Sequence, residues 1–259
     1  MFDRTHPFAY HGHMSALHPS FRAILFDLDG TLLQVDMRRY IPAYVQGLAA
    51  TIADTVPHSE AGRTLLGLVH HLLQRDSGDE SNNSWYLQHA AQTFGMTPQL
   101  LSERFATYFA SGLTALDPLM SPTPAARRLA ETCIAKGWKV VIATNPVFPQ
   151  PVIDSRLRRA GLADLDLALV TTSDNSRRCK PNPAYFADIM ARLDLNPEQC
   201  LMVGNDTGHD LAARQAGIAT FLVDTWMIDR AGGDFVSDYR GNHATLQQFL
   251  ENLANVAED

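Results

Sequence analysis

Two carboxylates separated by a single residue stand directly after a short apolar run near residue 23. The run Arg22–Asp27 (RAILFD) ends in Asp27, and Asp29 comes two residues later, before Gly30 and Thr31. An apolar run of this length that ends in polar residues is typical of a buried strand. Paired carboxylates can act as a nucleophile and as an acid or base, and glycine permits an unusual turn between them and the next element. The DxDGT pattern therefore indicates a reactive site more strongly than two acids alone.

Three more groups of polar residues follow later apolar runs in the same way. They are Thr144 with Asn145, Lys180 before a proline, and the acids and amide of the segment Gly204–Asp210. Each group alone has an ordinary interpretation, because threonine and aspartate also cap helices and an isolated lysine is usually exposed. Ligands of open α/β sheets bind at the carboxyl ends of the strands. We therefore expect the four groups to meet in one cleft.

Alternating elements in the second half of the chain position these groups. We predict strands over Lys139–Ala143, Leu167–Thr171, Cys200–Val203 and Ile218–Val223. We predict helices over Pro124–Lys136, Pro149–Ala160, Pro183–Leu193, Thr207–Ala216 and Leu246–Ala254. Strands that alternate with helices indicate an α/β fold with a doubly wound, Rossmann-like parallel sheet.

A helical segment separates the first strand from the rest of this sheet. Apolar residues recur at helical spacing in Tyr40–Val56, His58–Gln74, Asn82–Phe94 and Pro98–Leu113. We therefore predict an inserted all-helical domain at residues 37–117 and an α/β catalytic core at residues 21–36 and 118–259. The chain would cross between the two near Leu33–Arg38 and Leu113–Thr123. Residues 1–20, which are rich in histidine, are predicted to be an N-terminal tail.

The FDLDGTL sequence around Asp27, with the three later groups in order, resembles the haloacid dehalogenase-like hydrolase superfamily. The second aspartate and the Gly-Thr pair resemble its phosphatase branch, and the helical insertion resembles its type 1 cap. The resemblance implies that Asp27 is a nucleophile that forms a transient aspartyl-phosphate, and that Asp29 serves as acid and base. It implies that Thr144 and Lys180 are catalytic as well. The implied substrate-binding residues are Gly30, Thr144, Asn145 and Lys180.

The same resemblance implies a magnesium cofactor. Its ligands would be the Asp27 carboxylate, the Asp29 backbone carbonyl and Asp206, with Asp210 binding directly or through water. Many members of the superfamily have an acid directly after the glycine, whereas this chain has Asn205 there. Asn205 therefore remains an alternative source of a ligand oxygen.

Several functions remain open within this resemblance. We expect a Mg2+-dependent phosphatase that hydrolyses a small phosphorylated metabolite, because a closing cap excludes large substrates. A phosphomutase of the same superfamily and a catalytically inactive binding or regulatory protein are the alternatives. A phosphonatase is disfavoured because the predicted cap block Tyr40–Leu116 contains no lysine to form a Schiff base. Two arginine pairs, Arg38 with Arg39 and Arg177 with Arg178, are candidate substrate contacts or solvated faces.

The composition sets the remaining expectations. A formal net charge of -7 argues against general nucleic-acid binding, which needs a basic surface. No apolar run is long enough to span a membrane, so we expect no membrane association. The three cysteines are scattered without a CxxC pattern, which indicates a reduced, cytoplasmic protein.

Overall fold

A computed structural model describes residues 21–76 and 78–256 of the chain. Its strands are β1 (Ala23–Phe26), β2 (Leu33–Val35), β3 (Met120–Pro122), β4 (Lys139–Ile142), β5 (Leu169–Val170), β6 (Cys200–Gly204), β7 (Ala219–Val223) and β8 (Tyr239–Gly241). Six of them form one parallel sheet with the order β5-β4-β1-β6-β7-β8. The predicted α/β fold with a parallel sheet is confirmed. The predicted tail at residues 1–20 lies outside the described residues.

Strand β1 is at the centre of the sheet and is buried along its whole length. Ile24 and Phe26 join one apolar cluster, whereas Ala23 and Leu25 join a second one. Side chains alternate between the two faces of a strand, so the two clusters are the two covered faces of the sheet. A strand covered on both faces must be apolar throughout, which explains the uninterrupted AILF sequence.

Helices cover both faces of this sheet. The helices are α1 (Met37–Ala50), α2 (His58–Leu73), α3 (Asn82–Phe94), α4 (Pro98–Ser111), α5 (Ala126–Ala135), α6 (Gln150–Ala160), α7 (Pro183–Leu193) and α8 (His243–Asn252). Buried residues of α5, α6 and α8 belong to the first cluster, and those of α7 belong to the second. Within the described ranges, no helix combines the length and the apolarity that a membrane crossing needs.

Helices α1 to α4 lie between two short strands that the sequence did not predict. Strands β2 and β3 pair antiparallel, with Leu33 opposite Pro122 and Val35 opposite Met120. They occupy the two segments where the chain was expected to cross to and from the inserted helices. Helices α2, α3 and α4 begin at their predicted residues and end within two residues of their predicted ends, whereas α1 begins three residues before its predicted start and ends six residues before its predicted end. The division into domains itself remains a prediction.

The segment after β6 differs most from the sequence-based expectation. The predicted helix Thr207–Ala216 is a turn followed by a 3-10 helix over Leu211–Ala216. The carboxylate of Asp206 accepts hydrogen bonds from the backbone N–H groups of Gly208 and His209, at 2.9 and 3.0 Å. Side chains that bond to nearby backbone groups in this way compete with helix formation. The turn is therefore held by the same acidic residue that the sequence singled out for chemistry.

Candidate active site

The centre of the site is an ion-pair network at the carboxyl end of β1. Asp27 is the first residue after this strand, and Lys180 Nζ donates to its Oδ1 at 2.8 Å. The same Nζ donates to Asp210 Oδ1 at 2.6 Å. The side chains of Lys180 and Asp210 are each 2% exposed, and that of Asp27 is 10% exposed. The structure thus gathers three predicted site residues from three distant parts of the sequence.

The surroundings of this network disfavour the ionised form of Asp27. Burial raises the pKa of Asp27 to about 8; the Lys180 charge opposes this shift, and the Asp210 carboxylate adds to it. Burial lowers the pKa of Lys180, but Asp210 and Asp27 outweigh it and hold that pKa above its ordinary value. Two carboxylates thus face one ammonium group in a buried space. This imbalance favours a further cation, because buried like charges otherwise disfavour ionisation.

Thr144 and Asn145 lie beside this network, one residue beyond the end of β4, which pairs with β1. The backbone carbonyl of Thr144 accepts from Thr171 Oγ1 at 2.8 Å and from Tyr185 Oη at 2.9 Å. Asn145 Nδ2 donates to the backbone carbonyl of Lys180 at 3.4 Å. These bonds join the loop after β4 to the loop that carries the lysine, so the two predicted phosphate-binding segments are held together.

Asp29 has a partner that the sequence analysis missed. Arg156 Nη1 donates to Asp29 Oδ2 at 2.6 Å, and the arginine side chain is fully buried. Burial raises the pKa of Asp29, with Arg156 and Lys180 opposing the shift. The signal for Arg156 was present in α6, where it falls on the apolar stripe of Val152, Ile153, Leu157 and Ala160. An arginine at core spacing is almost never buried without a charged partner.

Gly30 and Asn205 are packed against each other beside Asp27. Gly30 has φ +88°, and a Cβ there would lie 2.3 Å from Asn205 Nδ2. Asn205 Oδ1 accepts from Thr31 Oγ1 at 3.4 Å, and its Nδ2 donates to the backbone carbonyl of Trp226 at 2.7 Å. The buried amide therefore lies directly on the turn that follows the nucleophile candidate.

Asp206, a predicted metal ligand, forms hydrogen bonds with Arg230 and with the turn that follows it. Its Oδ2 accepts from Arg230 Nε at 2.6 Å, and its Oδ1 accepts the two backbone N–H groups of the turn that follows it. Arg230 belongs to an irregular segment after β7 that carried no sequence signal. Arg230 and the turn therefore compete with a metal for both oxygens of Asp206, and the role of Asp206 as a metal ligand together with Asp27 stays a prediction.

The oxygens around Asp27 have the chemistry that a hard cation requires. Asp27 and Asp210 supply carboxylates, and the amide of Asn205, which lies against Gly30, supplies a neutral oxygen nearby. No group of three or more His, Cys, Asp or Glu side chains is arranged to hold a metal in the described part of the chain. Mg2+ binds through one or two carboxylates and keeps several waters. A set of two carboxylates with neutral oxygens therefore fits magnesium better than a metal that needs a complete protein cage.

Some of the candidate substrate contacts outside this centre are exposed to solvent, and others make contacts between the helical insertion and the rest of the chain. Arg38, Arg39 and Arg177 are exposed, whereas Tyr40 is buried against Arg156. Arg178 Nη1 donates to the backbone carbonyl of Gly78 at 2.9 Å. Arg178 therefore connects the core to the insertion rather than facing open solvent.

Comparison with known proteins identifies the class of protein to which this fold belongs. The sequence model of the haloacid dehalogenase-like hydrolases matches residues 21–217. The chain belongs to this family, which confirms the predicted resemblance. It is 27% identical over 210 residues to a pyrophosphatase, PpaX, of Anoxybacillus flavithermus, covering 81% of this chain and 86% of that protein.

Two further comparisons agree with this assignment. The chain is 28% identical over 207 residues to a phosphoglycolate phosphatase of Rhodospirillum rubrum, covering 78% of this chain and 79% of that protein. A crystal structure of a haloacid dehalogenase-like phosphatase from Thermococcus onnurineus matches with a TM-score of 0.56 and 22% identity, covering 91% of this chain and all of that one. The structural match confirms the fold, and the named relatives confirm the predicted enzyme class, a phosphatase, at this coarse level.

Proposed function

We propose that this chain is a Mg2+-dependent phosphatase that hydrolyses a small phosphorylated metabolite through an aspartyl-phosphate on Asp27. The observation that carries the proposal is the pairing of Lys180 with both Asp27 and Asp210 at the end of the central strand. The pairing supports the proposal because it brings the candidate nucleophile, a buried positive charge and a second carboxylate into contact. Phosphoryl transfer needs mainly such positioning and charge neutralisation.

Each residue has a distinct role in the proposed reaction. An oxygen of Asp27 attacks phosphorus in line, which forms an acyl phosphate as the bond to the leaving oxygen breaks. Asp29 gives its proton to the leaving oxygen, and it later takes a proton from the water that attacks the acyl phosphate and restores Asp27. Lys180 and the Thr144–Asn145 loop hold the transferring group by charge and hydrogen bonding.

Magnesium would be held by Asp27, Asp210 and the backbone carbonyl of Asp29, with Asn205 supplying an amide oxygen. When bound, the cation screens the repulsion between the Asp27 carboxylate and an anionic phosphoryl group. The raised pKa of Asp27 supports this need, because an added positive charge favours the ionised form that acts as nucleophile.

The docking of the helical insertion supports a small substrate. At the start of α3, Asn82 Nδ2 donates to the backbone carbonyl of Pro146 at 3.0 Å, and Asn82 N donates to that of Ser176 at 2.8 Å. Asn83 N donates to the backbone carbonyl of Ser173 at 2.8 Å. These bonds hold the insertion onto the loops after β4 and β5, which flank the cleft. A cover held in this way excludes bulk water and folded macromolecules from the reacting group.

Release of inorganic phosphate from 4-nitrophenyl phosphate and a panel of phosphorylated metabolites tests the proposal. We expect Mg2+-dependent release by the unchanged protein, no release by Asp27→Asn, and normal release by the control Asp166→Asn, which alters an exposed acid. Activity retained in Asp27→Asn would exclude that residue as the nucleophile. Transfer of phosphate to a second position of the substrate, without free phosphate, would instead identify a mutase.

A further inference from the structure

Arg156 is the largest fully buried side chain of the described residues and a charged one. It projects from α6 to Asp29, where its Nη1 lies 2.6 Å from Oδ2. Removing the partner of a buried charge is strongly destabilising, because the remaining charge is left without compensation. Asp29 is the acid and base of the proposed function, so this ion pair bears directly on the proton-transfer step.

Two aromatic rings pack against the guanidinium group. Its Cζ lies 4.3 Å from the centre of the Tyr40 ring and 4.0 Å from that of the Phe148 ring. The two rings meet edge to face with their centres 6.1 Å apart. Arginine favours stacked sites of this kind because its planar group interacts with ring faces while its N–H groups bond in the plane. The donor that reaches Asp29 is therefore held by the two rings and by its bond to Asp29, whereas Nε and Nη2 of Arg156 have no hydrogen-bond partner.

The pairing makes the two oxygens of Asp29 different. Oδ2 is bound to Arg156, whereas Oδ1 is buried and has no hydrogen-bond partner. A buried polar atom without a partner is costly and calls for an explanation. Substrate binding next to Asp27 would supply that partner, since Asp29 follows Asp27 by two residues on the same loop.

We propose that Arg156 is a positioning residue for proton transfer, which holds Oδ2 of Asp29 so that Oδ1 exchanges the proton. The proposal rests on the proposed function. Oδ1 carries the proton to the leaving oxygen as its bond to phosphorus breaks. The same oxygen then takes a proton from the attacking water as the bond between phosphorus and Asp27 breaks. The aspartic acid is regenerated, so the cycle consumes one water and releases the alcohol and phosphate.

Tyr40 links this positioning to the helical insertion. Tyr40 lies on α1, whereas Arg156 and Phe148 belong to the core, and all three are buried. The ring stacked on the guanidinium is thus supplied by the insertion when it is docked. The acid and base is correctly held only when the insertion covers the site, which would limit proton transfer to the closed enzyme.

The test compares two aryl phosphates that differ in their need for a proton. Phenyl phosphate has a poor leaving group and requires general acid catalysis, which contributes about 10²-fold or more. The leaving group of 2,4-dinitrophenyl phosphate departs without protonation. We expect Arg156→Met to lower kcat/KM about 10²-fold with phenyl phosphate and less than about threefold with the dinitrophenyl ester, following the same principle. Tyr40→Leu should show the same pattern with a smaller loss.

Several controls separate positioning from a general structural role. Arg158→Met removes an exposed arginine from the same helix and should leave both rates unchanged. In an Asp29→Asn background, Arg156→Met should cause no further loss. If Arg156→Met does not fold, Arg156→Lys provides the same comparison, because it keeps the charge but loses the planar donor group.

The outcomes distinguish failure of this inference from failure of the proposed function. Equal losses on both substrates, no loss, or faster cleavage of phenyl phosphate by Arg156→Met would overturn the positioning role. Faster cleavage would mean that the ion pair with Arg156 hinders proton transfer by Asp29. If Asp29→Asn itself affects both substrates equally, the acid and base role of Asp29 is wrong, and the role of Arg156 is refuted with it.

Discussion

Replacing Lys180 by methionine removes the positive charge from the centre of the site at nearly constant volume. Lys180 is fully buried and bonds to Asp27 and Asp210 at 2.8 and 2.6 Å. Removing one partner from a buried ion pair typically costs about 3–5 kcal/mol. Because both remaining carboxylates are at least nine-tenths buried, solvent screening reduces this cost little. We therefore expect Lys180→Met to lower the free energy of unfolding by about 3–5 kcal/mol at pH 8 without Mg2+.

The loss of unfolding free energy in Lys180→Met should increase with pH. The pKa of Asp27 is about 8 in the native protein and 3.8 in a model peptide. Between these values the native state holds a proton that the unfolded chain releases, so the contribution of Asp27 to stability falls as the pH rises. Lys180 is the group that opposes this elevation, and its removal raises the pKa of Asp27 further. The deficit of Lys180→Met should therefore be smaller at pH 5, where protonation relieves the repulsion, than at pH 8.

Urea-induced unfolding at pH 5 and pH 8, with and without Mg2+, measures these effects. Magnesium should restore part of the stability of Lys180→Met, because a bound cation stabilises the native state. Lys139→Met is the matched control, since Lys139 Nζ is exposed and bonds to the backbone carbonyl of Leu193 at 2.9 Å. An unfolding midpoint for Lys180→Met that equals the Lys139→Met value at pH 8 would refute the reasoning.

Three further predictions follow from other contacts. Gly30→Ala should lower both stability and kcat/KM, because a Cβ would lie 2.3 Å from Asn205 Nδ2 at a φ of +88°; denaturation and phosphate release measure the two losses. Asn82→Ala should lower the free energy of unfolding by about 1–3 kcal/mol, since the buried carbonyl of Pro146 loses a donor; unaltered stability would argue against the docking bonds. Asp206→Asn should reduce thermal stability while leaving Mg2+ affinity in calorimetry nearly unchanged, whereas Asp210→Asn should weaken Mg2+ binding.

The positions of the polar groups could be predicted from the sequence because strand ends are marked by local signals. The run Ala23–Phe26 is apolar because both of its faces are covered, and this pattern is visible without a structure. Once strands alternate with helices, Asp27, Lys180 and Asp210 must lie at the same edge of the sheet. Their meeting was therefore predictable, although their distances were not.

Pairings between distant side chains were not predictable in this way. Asp206 and Asp210 look equivalent in the sequence, yet Asp206 forms an ion pair with Arg230, whereas Asp210 forms one with Lys180. This difference depends on an irregular segment after β7 that has no periodic pattern. Arg156 was overlooked for a related reason, because its partner Asp29 lies 127 residues away. Strands β2, β3 and β8 have three residues each, which is too short for a reliable alternation signal.

The short antiparallel pair of β2 and β3 holds the two ends of the helical insertion next to each other. Asp36 N donates to the backbone carbonyl of Leu119 at 3.0 Å, so the chain leaves the core and returns to it at adjacent points. The intervening helices can therefore be exchanged for another module of different shape without moving the strand ends that hold the reactive groups. Grafting such a module would alter which phosphate esters are admitted while retaining the chemistry beneath it, and the contacts that would need redesign include those of Asn82 and Tyr40.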